Sequence, residues 1–210
     1  IDDKAVPRMA HAAFFRSPVP HARIKSIDIE NARALDGVYG VYTGEDLKDI
    51  VAPIISGEDH ESIRVLEQRV LPLDKVRHVG EAVAVVVAKS RYVAEDAVGL
   101  IDVDWEPLPV VMDAEESMKP NAVRIDETQP DNNTLLLDYG GSEIDKVLAD
   151  CDRVHTKKFY FGRQSASPLE TRGLIASYEV GTGMLPLWMS DQLPPLTRTM
   201  LATRLILPER

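Results

Sequence analysis

Histidines and a cysteine are the residues here best suited to bind a metal, but their spacing argues against it. The five histidines form no i, i+4 pair and no short cluster: His11, His21, His60, His78 and His155. Metal sites need convergent ligands, so we expect structural or surface histidines. Cys151 is the single cysteine, so this chain alone makes no internal disulfide and holds no iron–sulfur or zinc site. Asp152 follows it and disfavours a thiolate, which predicts a small buried residue.

The residue with the best prospect of chemistry is Gln164, in the stretch FGRQSASPLETRG from Phe161 to Gly173. Its amide can donate a hydrogen bond to an oxygen without adding charge. The small residues that follow let the backbone approach a ligand closely. Two structural alternatives stay open. Gln164 could bond its own backbone in a turn, and Glu170 and Arg172 could form an ion pair beneath the loop.

Other common catalytic patterns are absent from the sequence. It contains no GxSxG, no P-loop and no GxGxxG motif. The paired carboxylates Glu115 and Glu116 lie in a polar stretch and are most simply solvated. Lys+Arg 24 against Asp+Glu 34 gives a net charge of −10, which argues against nucleic acid as a partner because phosphate binding needs a basic surface.

Composition places the chain among ordinary soluble globular proteins, with 44% hydrophobic and 28% charged residues in a length of 210. No apolar run approaches the roughly 20 residues that span a bilayer, so no membrane span is expected. The start, IDDKAVPRMAH, has neither a signal-peptide pattern nor an initiator Met. We therefore expect a cytoplasmic protein, in a chain that is clipped, processed or only partly represented.

The elements that must position these residues are predicted from periodicity and turn signals. In the first region, to about residue 112, we expect a short helix at Glu30–Leu35 and strands at Met9–Arg16, Ala22–Ile29, Val38–Thr43 and Ile101–Trp105. The strongest signal is the apolar run AVAVVVA at Ala82–Ala88, which predicts a strand covered on both faces. Ser90 can cap the helix that follows. Strand, helix and strand in close succession predict an α+β fold.

The stretch from Asp113 to Gly141 is polar and rich in turn residues, which predicts a connector crossing the surface between two domains. Beyond it we expect a helix over 142–149 capped by Ser142, and strands over 153–160, 173–179 and 185–190. Gly181-Thr182-Gly183 is the expected turn between the last two strands. A final helix should run from Leu193-Pro194-Pro195 to about Leu207. The predicted limits are therefore 1–112, 113–141 and 142–210.

Four segments, in order, resemble the molybdenum-binding large subunit of the xanthine dehydrogenase, aldehyde oxidase and carbon monoxide dehydrogenase family. They are FRSPVPHARIKSID (Phe15–Asp28), VGEAVAVVVAKSRYVAEDAVGLIDVDWEPLPVV (Val79–Val111), RQSASPLETRG (Arg163–Gly173) and LWMSDQLPPLTRTMLATRLILPE (Leu187–Glu209). Together they extend over most of the chain. The resemblance implies an α/β hammerhead domain followed by the beginning of the molybdopterin-binding domain, which is incomplete here.

The resemblance also implies oxidative hydroxylation of an aldehyde, a purine or another N-heterocycle, with water as the oxygen donor. Carbon monoxide oxidation stays open. The implied cofactor is a molybdenum-pterin, either molybdopterin or its cytosine dinucleotide form, with iron–sulfur clusters and FAD on partner domains or subunits. By position, Gln164 is the glutamine that donates to an oxygen ligand of molybdenum. No residue here is implied as a direct metal ligand. The implied partners are the remaining part of the molybdenum subunit, an iron–sulfur subunit, an FAD subunit and a small-molecule substrate.

The sequence departs from the family pattern at Thr171, where proline is frequent, at Asp191, where threonine is usual, and at Pro195, which replaces a histidine. Asp191 adds negative charge near the expected position of an anionic pterin, so no contact is carried over to it. The family's catalytic glutamate, its general base, has no counterpart in these 210 residues. We therefore expect no catalytic residue in this chain and no activity from it alone.

Three interpretations remain. The chain is one piece of a molybdenum hydroxylase, either a fragment or one chain of a split subunit. Alternatively, it is a non-catalytic hammerhead domain that serves as an assembly or binding module. The third and weakest option is a cut piece with no independent function. Two observations would decide between these interpretations: the molybdenum content of the protein and the residues that follow Arg210 in the gene.

Overall fold

The structure is a computed structural model, which describes residues 1, 3–56, 63–135, 141–162 and 164–209. His60, Arg163 and Arg210 therefore lie outside the described residues. The strands are β1 His11–Arg16, β2 Ala22–Asp28, β3 Val38–Thr43, β4 Ile54–Ser56, β5 Leu66–Gln68, β6 Lys75–Val76, β7 Ala82–Ala88, β8 Asp102–Pro107, β9 Leu174–Ala176 and β10 Leu187–Met189. The helices are α1 Glu30–Ala34, α2 Gly44–Leu47, α3 Arg91–Val98, α4 Ala114–Ser117, α5 Ser142–Ala149 and α6 Pro194–Leu205.

The chain forms two compact units. The larger unit comprises Asp3–Thr134 and Asp191–Arg210, and the smaller unit comprises Ile1–Asp2 and Leu135–Ser190. The larger unit holds two three-stranded sheets, in the orders β1-β7-β3 and β6-β2-β8, and the hairpin β4-β5. The smaller unit holds α5 and the pair β9-β10.

The apolar run that forms β7 is the central strand of the larger unit, with β1 and β3 antiparallel on its two sides. The side chains of Ala84, Val86 and Ala88 point into one core and are fully buried. Full burial of a valine side chain contributes about 1.5–3 kcal/mol, so this run stabilises the sheet strongly. On the other face, Val83 is fully buried in a second core cluster, and Val85 and Val87 are half-buried. The predicted strand is confirmed, and the second face is covered less completely than the first.

Helix α3 follows β7 after two residues, the second of which, Ser90, is its N-cap. The side chain of Ser90 accepts a hydrogen bond from the backbone N–H of Val93 at 3.3 Å, which satisfies one of the open donors at the helix N-terminus. Ala94 and Ala97 are fully buried on the sheet side, where small side chains allow close packing. Ile101, just before β8, and Val103 within β8 are buried in the same core, with Trp105 packed against them. The predicted strand–helix–strand unit is confirmed.

Three expectations about the smaller unit are wrong. No strand forms over 153–160, where the described chain is irregular and exposed. Helix α5 has the predicted bounds, but its N-cap is Gly141 rather than Ser142, and no side-chain cap is present. Cys151 is exposed, not buried, and its Sγ donates to the carbonyl oxygen of Val147 at 3.1 Å. A thiol at the end of a helix can donate to a free backbone carbonyl group in this way, and it can do so while exposed to solvent.

The final pair of strands is shorter than predicted. β9 and β10 are three residues each and pair in antiparallel register, with Trp188 opposite Ile175. The predicted turn is confirmed, because Gly183 lies at φ +66 and Glu179 pairs with Met184 across it. Helix α6 begins at Pro194 and ends at Leu205, close to the expected limits. In the described residues, no helix is long and apolar enough to cross a bilayer.

Candidate cofactor-binding site

Gln164 lies in an irregular, exposed stretch of the smaller unit. The described residues from 153 to 173 form no helix and no strand, and the side chain of Gln164 is open to solvent. Just before it, Tyr160 is 90% exposed and Phe161 is 86% exposed. An amide in this setting keeps its donor and acceptor available to a ligand. The structure gives Gln164 no regular element to hold it in place.

Beyond Gln164 the carboxylate of Glu170 forms a local contact of its own. It accepts a hydrogen bond from the amino group of Ile1 at 2.9 Å. This ammonium group, followed by the Ser190 hydroxyl, lowers the pKa of Glu170 below its usual range. Among the described residues Glu170 and Arg172 form no ion pair. The ion pair considered from the sequence is therefore not found.

A run of basic residues precedes Gln164 and was not singled out from the sequence. The cations Arg153, Lys157 and Lys158 are all exposed, and no acidic residue lies between Arg153 and Gln164. The ammonium group of Lys157 lies 5.3 Å from the centre of the Phe159 ring, within the range of a cation–π contact. In a chain of net charge −10, this run provides a local positive potential. The signal was visible in the sequence as RVHTKK.

Asp191, which stands where the family usually has threonine, makes local hydrogen bonds in the larger unit. Its Oδ1 accepts from the backbone N–H of Leu193 at 3.0 Å, and it also bonds the side chain of Thr197. The Thr197 hydroxyl is the larger of these influences, and together they lower the pKa of Asp191. The carboxylate therefore stabilises the first turn of α6, where negative charge is favourable.

Direct metal ligation has no support in the part of the chain that the structure describes. There, no three His, Cys, Asp or Glu side chains converge in a way that could hold an ion. In the segment from Arg153 to Gln164 every polar side chain is neutral or basic, and the next carboxylate, Glu170, is engaged by the amino group of Ile1. This donor set suits an anionic, ligand-carrying group better than a bare cation, because it offers hydrogen-bond donors and positive charge.

Two family models match the chain in succession. Residues 1–109 match the α/β hammerhead domain of aldehyde oxidase and xanthine dehydrogenase, and residues 125–210 match a molybdopterin cofactor-binding domain. The predicted α+β fold, a hammerhead domain followed by the beginning of a cofactor-binding domain, is confirmed by these matches.

Relatives and solved structures agree with the family models. The nicotine 6-hydroxylase large subunit of Paenarthrobacter nicotinovorans is 36% identical over 92% of this chain and 24% of its own length. The carbon monoxide dehydrogenase large chain of Afipia carboxidovorans is 37% identical over 100% of this chain and 27% of its own. The crystal structure of quinoline 2-oxidoreductase from Pseudomonas putida 86 has a TM-score of 0.93 at 39% identity, over 100% of this chain and 26% of that one.

The chain thus spans about a quarter of the length of these relatives. Both of its matched domains appear in the same order as the four motifs found in the sequence. This chain belongs to the aldehyde oxidase and xanthine dehydrogenase family.

Proposed function

We propose that this chain is part of the molybdenum-binding subunit of a molybdenum hydroxylase. The observation that carries the proposal is the match of residues 125–210 to a molybdopterin cofactor-binding domain, within which Gln164 is exposed and follows a cationic run. When bound, the molybdenum-pterin would supply two-electron oxidation coupled to oxygen transfer from water. The residues of this chain would bind and orient that group rather than carry out proton transfer.

Gln164 is the residue we assign to the cofactor. Its side-chain N–H would donate to an oxygen of the cofactor, and because the amide is neutral it would do so at any physiological pH. Such outer hydrogen bonds fix the orientation of a metal's ligands and tune its reactivity. The cations of the run 153–158 would favour an anionic pterin through their charge. The pterin is molybdopterin or its cytosine dinucleotide form.

For the substrate we propose an aldehyde, a purine or another N-heterocycle. Two of the similar proteins are named for nicotine and quinoline, both nitrogen heteroaromatics, which supports the heterocycle class. The similarity to carbon monoxide dehydrogenase at 37% identity is of the same strength, so carbon monoxide should be assayed as a substrate beside the heterocycles.

The assembly we propose is cytoplasmic and has several components. The remaining part of the molybdenum subunit supplies the general-base glutamate, and an iron–sulfur subunit and an FAD subunit carry the electrons away. Within this chain we keep the limits 1–112, 113–141 and 142–210 as the proposed domains.

The test is molybdenum and pterin analysis of the complete native assembly, combined with the change Gln164→Ala. We expect about one molybdenum per assembly, and a turnover lowered about 10–100-fold by the substitution, the range typical for an outer-sphere partner of a metal. Thermal unfolding should be unchanged, because the side chain is exposed. Gln68→Ala, at an exposed position of β5, is the matched control and should leave turnover intact.

Two results would count against the proposal in different ways. An assembly without molybdenum and pterin would support the non-catalytic hammerhead module instead. A loaded assembly in which Gln164→Ala turns over as fast as the native protein would keep the enzyme and remove Gln164 from its site.

A further inference from the structure

Lys75 is the largest fully buried side chain of the larger unit. It lies on the two-residue strand β6 and the whole residue is 1% exposed. Lysine is almost never buried to this extent without a partner, because its charge loses its hydration. The ammonium group donates to the carbonyl oxygen of Ile125 at 2.8 Å and to the carboxylate of Glu127. Both partners come from the stretch after β8.

That stretch, residues 113–134, is named the strap here. It contains only the one-turn helix α4 and is otherwise turns and bends. No strap residue is buried, and none belongs to a hydrophobic core cluster. Apolar packing therefore contributes little to holding it down. Its position depends on polar contacts.

A second set of contacts holds the C-terminal end of the strap. The guanidinium of Arg64 binds the carboxylate of Asp131 with two hydrogen bonds, at 2.5 and 3.1 Å. The backbone N–H of Arg64 donates to the carbonyl oxygen of Thr134 at 2.8 Å. The Arg64 and Asp131 side chains are 38% and 44% exposed, so water weakens this pair.

Asn132 closes the strap on itself. Its Oδ1 accepts from the backbone N–H of Ile125 at 3.0 Å, and its Nδ2 donates to the carbonyl oxygens of Val123 at 2.8 Å and Ser117 at 3.2 Å. One side chain thus ties three points of the strap together. The strap can therefore move as one piece.

Three basic residues lie along β2 and β6 beneath the strap, beside the acidic residues Glu81 and Glu106. Arg23 lies opposite Lys75 in the β2–β6 register, and Arg77 follows on the same strand edge, with its Nη1 donating to the carbonyl oxygen of Lys75 at 3.2 Å. The consecutive acids Asp126 and Glu127 bring two negative charges to this row. The hydrogen bond from Lys75 is the main cause that lowers the pKa of Glu127. The pKa of Asp126 is lowered mainly by the Thr128 hydroxyl and more weakly by Arg77 and Lys75. The charges of strap and sheet are complementary.

We propose that the strap is a latch that opens as a unit of its own, with Lys75 as its anchor. In the closed state the anchor's ammonium is buried by Ile125 and Glu127. In the open state Lys75 joins Arg23 and Arg77 as a cationic row facing solvent, while the β1-β7-β3 sheet stays folded. Local opening of this kind is expected where a segment has few buried apolar contacts. The latch includes no residue assigned to the cofactor.

Amide hydrogen exchange on the full chain, at neutral pH, tests the latch with the change Glu127→Gln. The substitution keeps the shape of the side chain and removes its charge, so the buried ammonium loses its charged partner. The amides of Ile125 and Asn133 should exchange about 10-fold faster or more, while those of Val85 and Val86 in β7 keep their native rate. Glu116→Gln is the matched control, since it breaks only the exposed pair with Lys119 on the same strap.

The change Asn132→Ala tests whether the strap opens as one unit or whether its contacts break independently. If the strap opens as one piece, both variants accelerate the same group of strap amides. Acceleration of the Ile125 amide alone in Asn132→Ala, or equal rates in Glu127→Gln and Glu116→Gln, would overturn the proposal. So would equal protection of strap and β7 amides in the native chain, because the strap would then open only on global unfolding.

Discussion

The imidazole Nδ1 of His21 lies 2.7 Å from the carbonyl oxygen of Pro109. A carbonyl oxygen only accepts, so Nδ1 carries the proton. The carbonyl oxygen of His21 in turn accepts from the backbone N–H of Leu108 at 2.9 Å. These two contacts tie the start of β2 to the chain just beyond β8. The whole His21 residue is 3% exposed, so water cannot replace the lost partner if either contact is removed.

We therefore expect His21→Ala to lower the free energy of unfolding by about 2–4 kcal/mol, through a lost hydrogen bond and a cavity. His21→Asn places an amide N–H near the position of Nδ1 and should recover about 1 kcal/mol. Chemical denaturation measures both. His155→Ala, at an exposed position, is the control. Equal losses for the alanine and asparagine variants would show that packing, not the hydrogen bond, is what His21 contributes.

The two serines at helix starts should respond differently to alanine. Ser90 accepts from the Val93 N–H, so Ser90→Ala should cost about 1 kcal/mol of stability in the larger unit. Ser142 makes no cap at α5, so Ser142→Ala should change the stability of the smaller unit by less than about 0.5 kcal/mol. Circular dichroism with denaturant, read together with exchange of the first-turn amides, tests the pair. A loss at Ser142 as large as at Ser90 would contradict the cap assignment.

Gly44 lies where a side chain cannot fit. A Cβ built there would be 2.3 Å from the backbone carbonyl oxygen of Pro72, and backbone moves less readily than a side chain. Gly44→Ala should therefore destabilise the larger unit by about 1–3 kcal/mol, as overpacking does. At Gly162 a Cβ meets nothing within 4 Å among the described atoms, so Gly162→Ala should be nearly neutral. Thermal unfolding of the two variants compares them directly, and a neutral Gly44→Ala would mean that α2 shifts away at little cost.

Acid should weaken the contact between Glu127 and Lys75. The hydrogen bond from Lys75 lowers the pKa of Glu127 below its ordinary value. The charged carboxylate is therefore more stable in the folded state than in the unfolded state. That contribution is present above the ordinary glutamate pKa of about 4.3 and is lost as pH falls through the lowered folded value. The stability difference between the native chain and Glu127→Gln should thus be largest near neutrality and should disappear as the pH falls through the lowered pKa of Glu127. A difference that is constant with pH would exclude this linkage.

Elements with strong local signals were predicted well. β3 and β7 have the predicted bounds, because apolar runs and flanking turn residues define them without help from distant parts of the chain. The short helices α2 and α4 were missed although their caps were visible in the sequence. Thr43 with Asp46 forms a capping box, and Asp113 accepts from the N–H groups of Glu115 and Glu116.

Elements that depend on contacts with distant parts of the chain were predicted poorly. The residues 153–160 contain the β-branched and aromatic residues that favour a strand. A strand also needs a neighbour for its backbone hydrogen bonds, and the described part of the smaller unit pairs only β9 with β10. The two-residue strand β6 is too short to leave a periodic signal. The role proposed for Gln164 rests on family resemblance, since an exposed glutamine has no local pattern that marks it as functional.

The order of the central sheet has a consequence for synthesis on the ribosome. β1 ends at Arg16, β3 ends at Thr43, and the strand that joins them, β7, ends at Ala88. At a translation rate of about 5–20 residues per second, β1 waits roughly 4–14 s for its neighbour. During that time Phe14 and Phe15 emerge without the strand that later pairs with them. During this interval the unpaired β1 is available for aggregation or for binding by a chaperone.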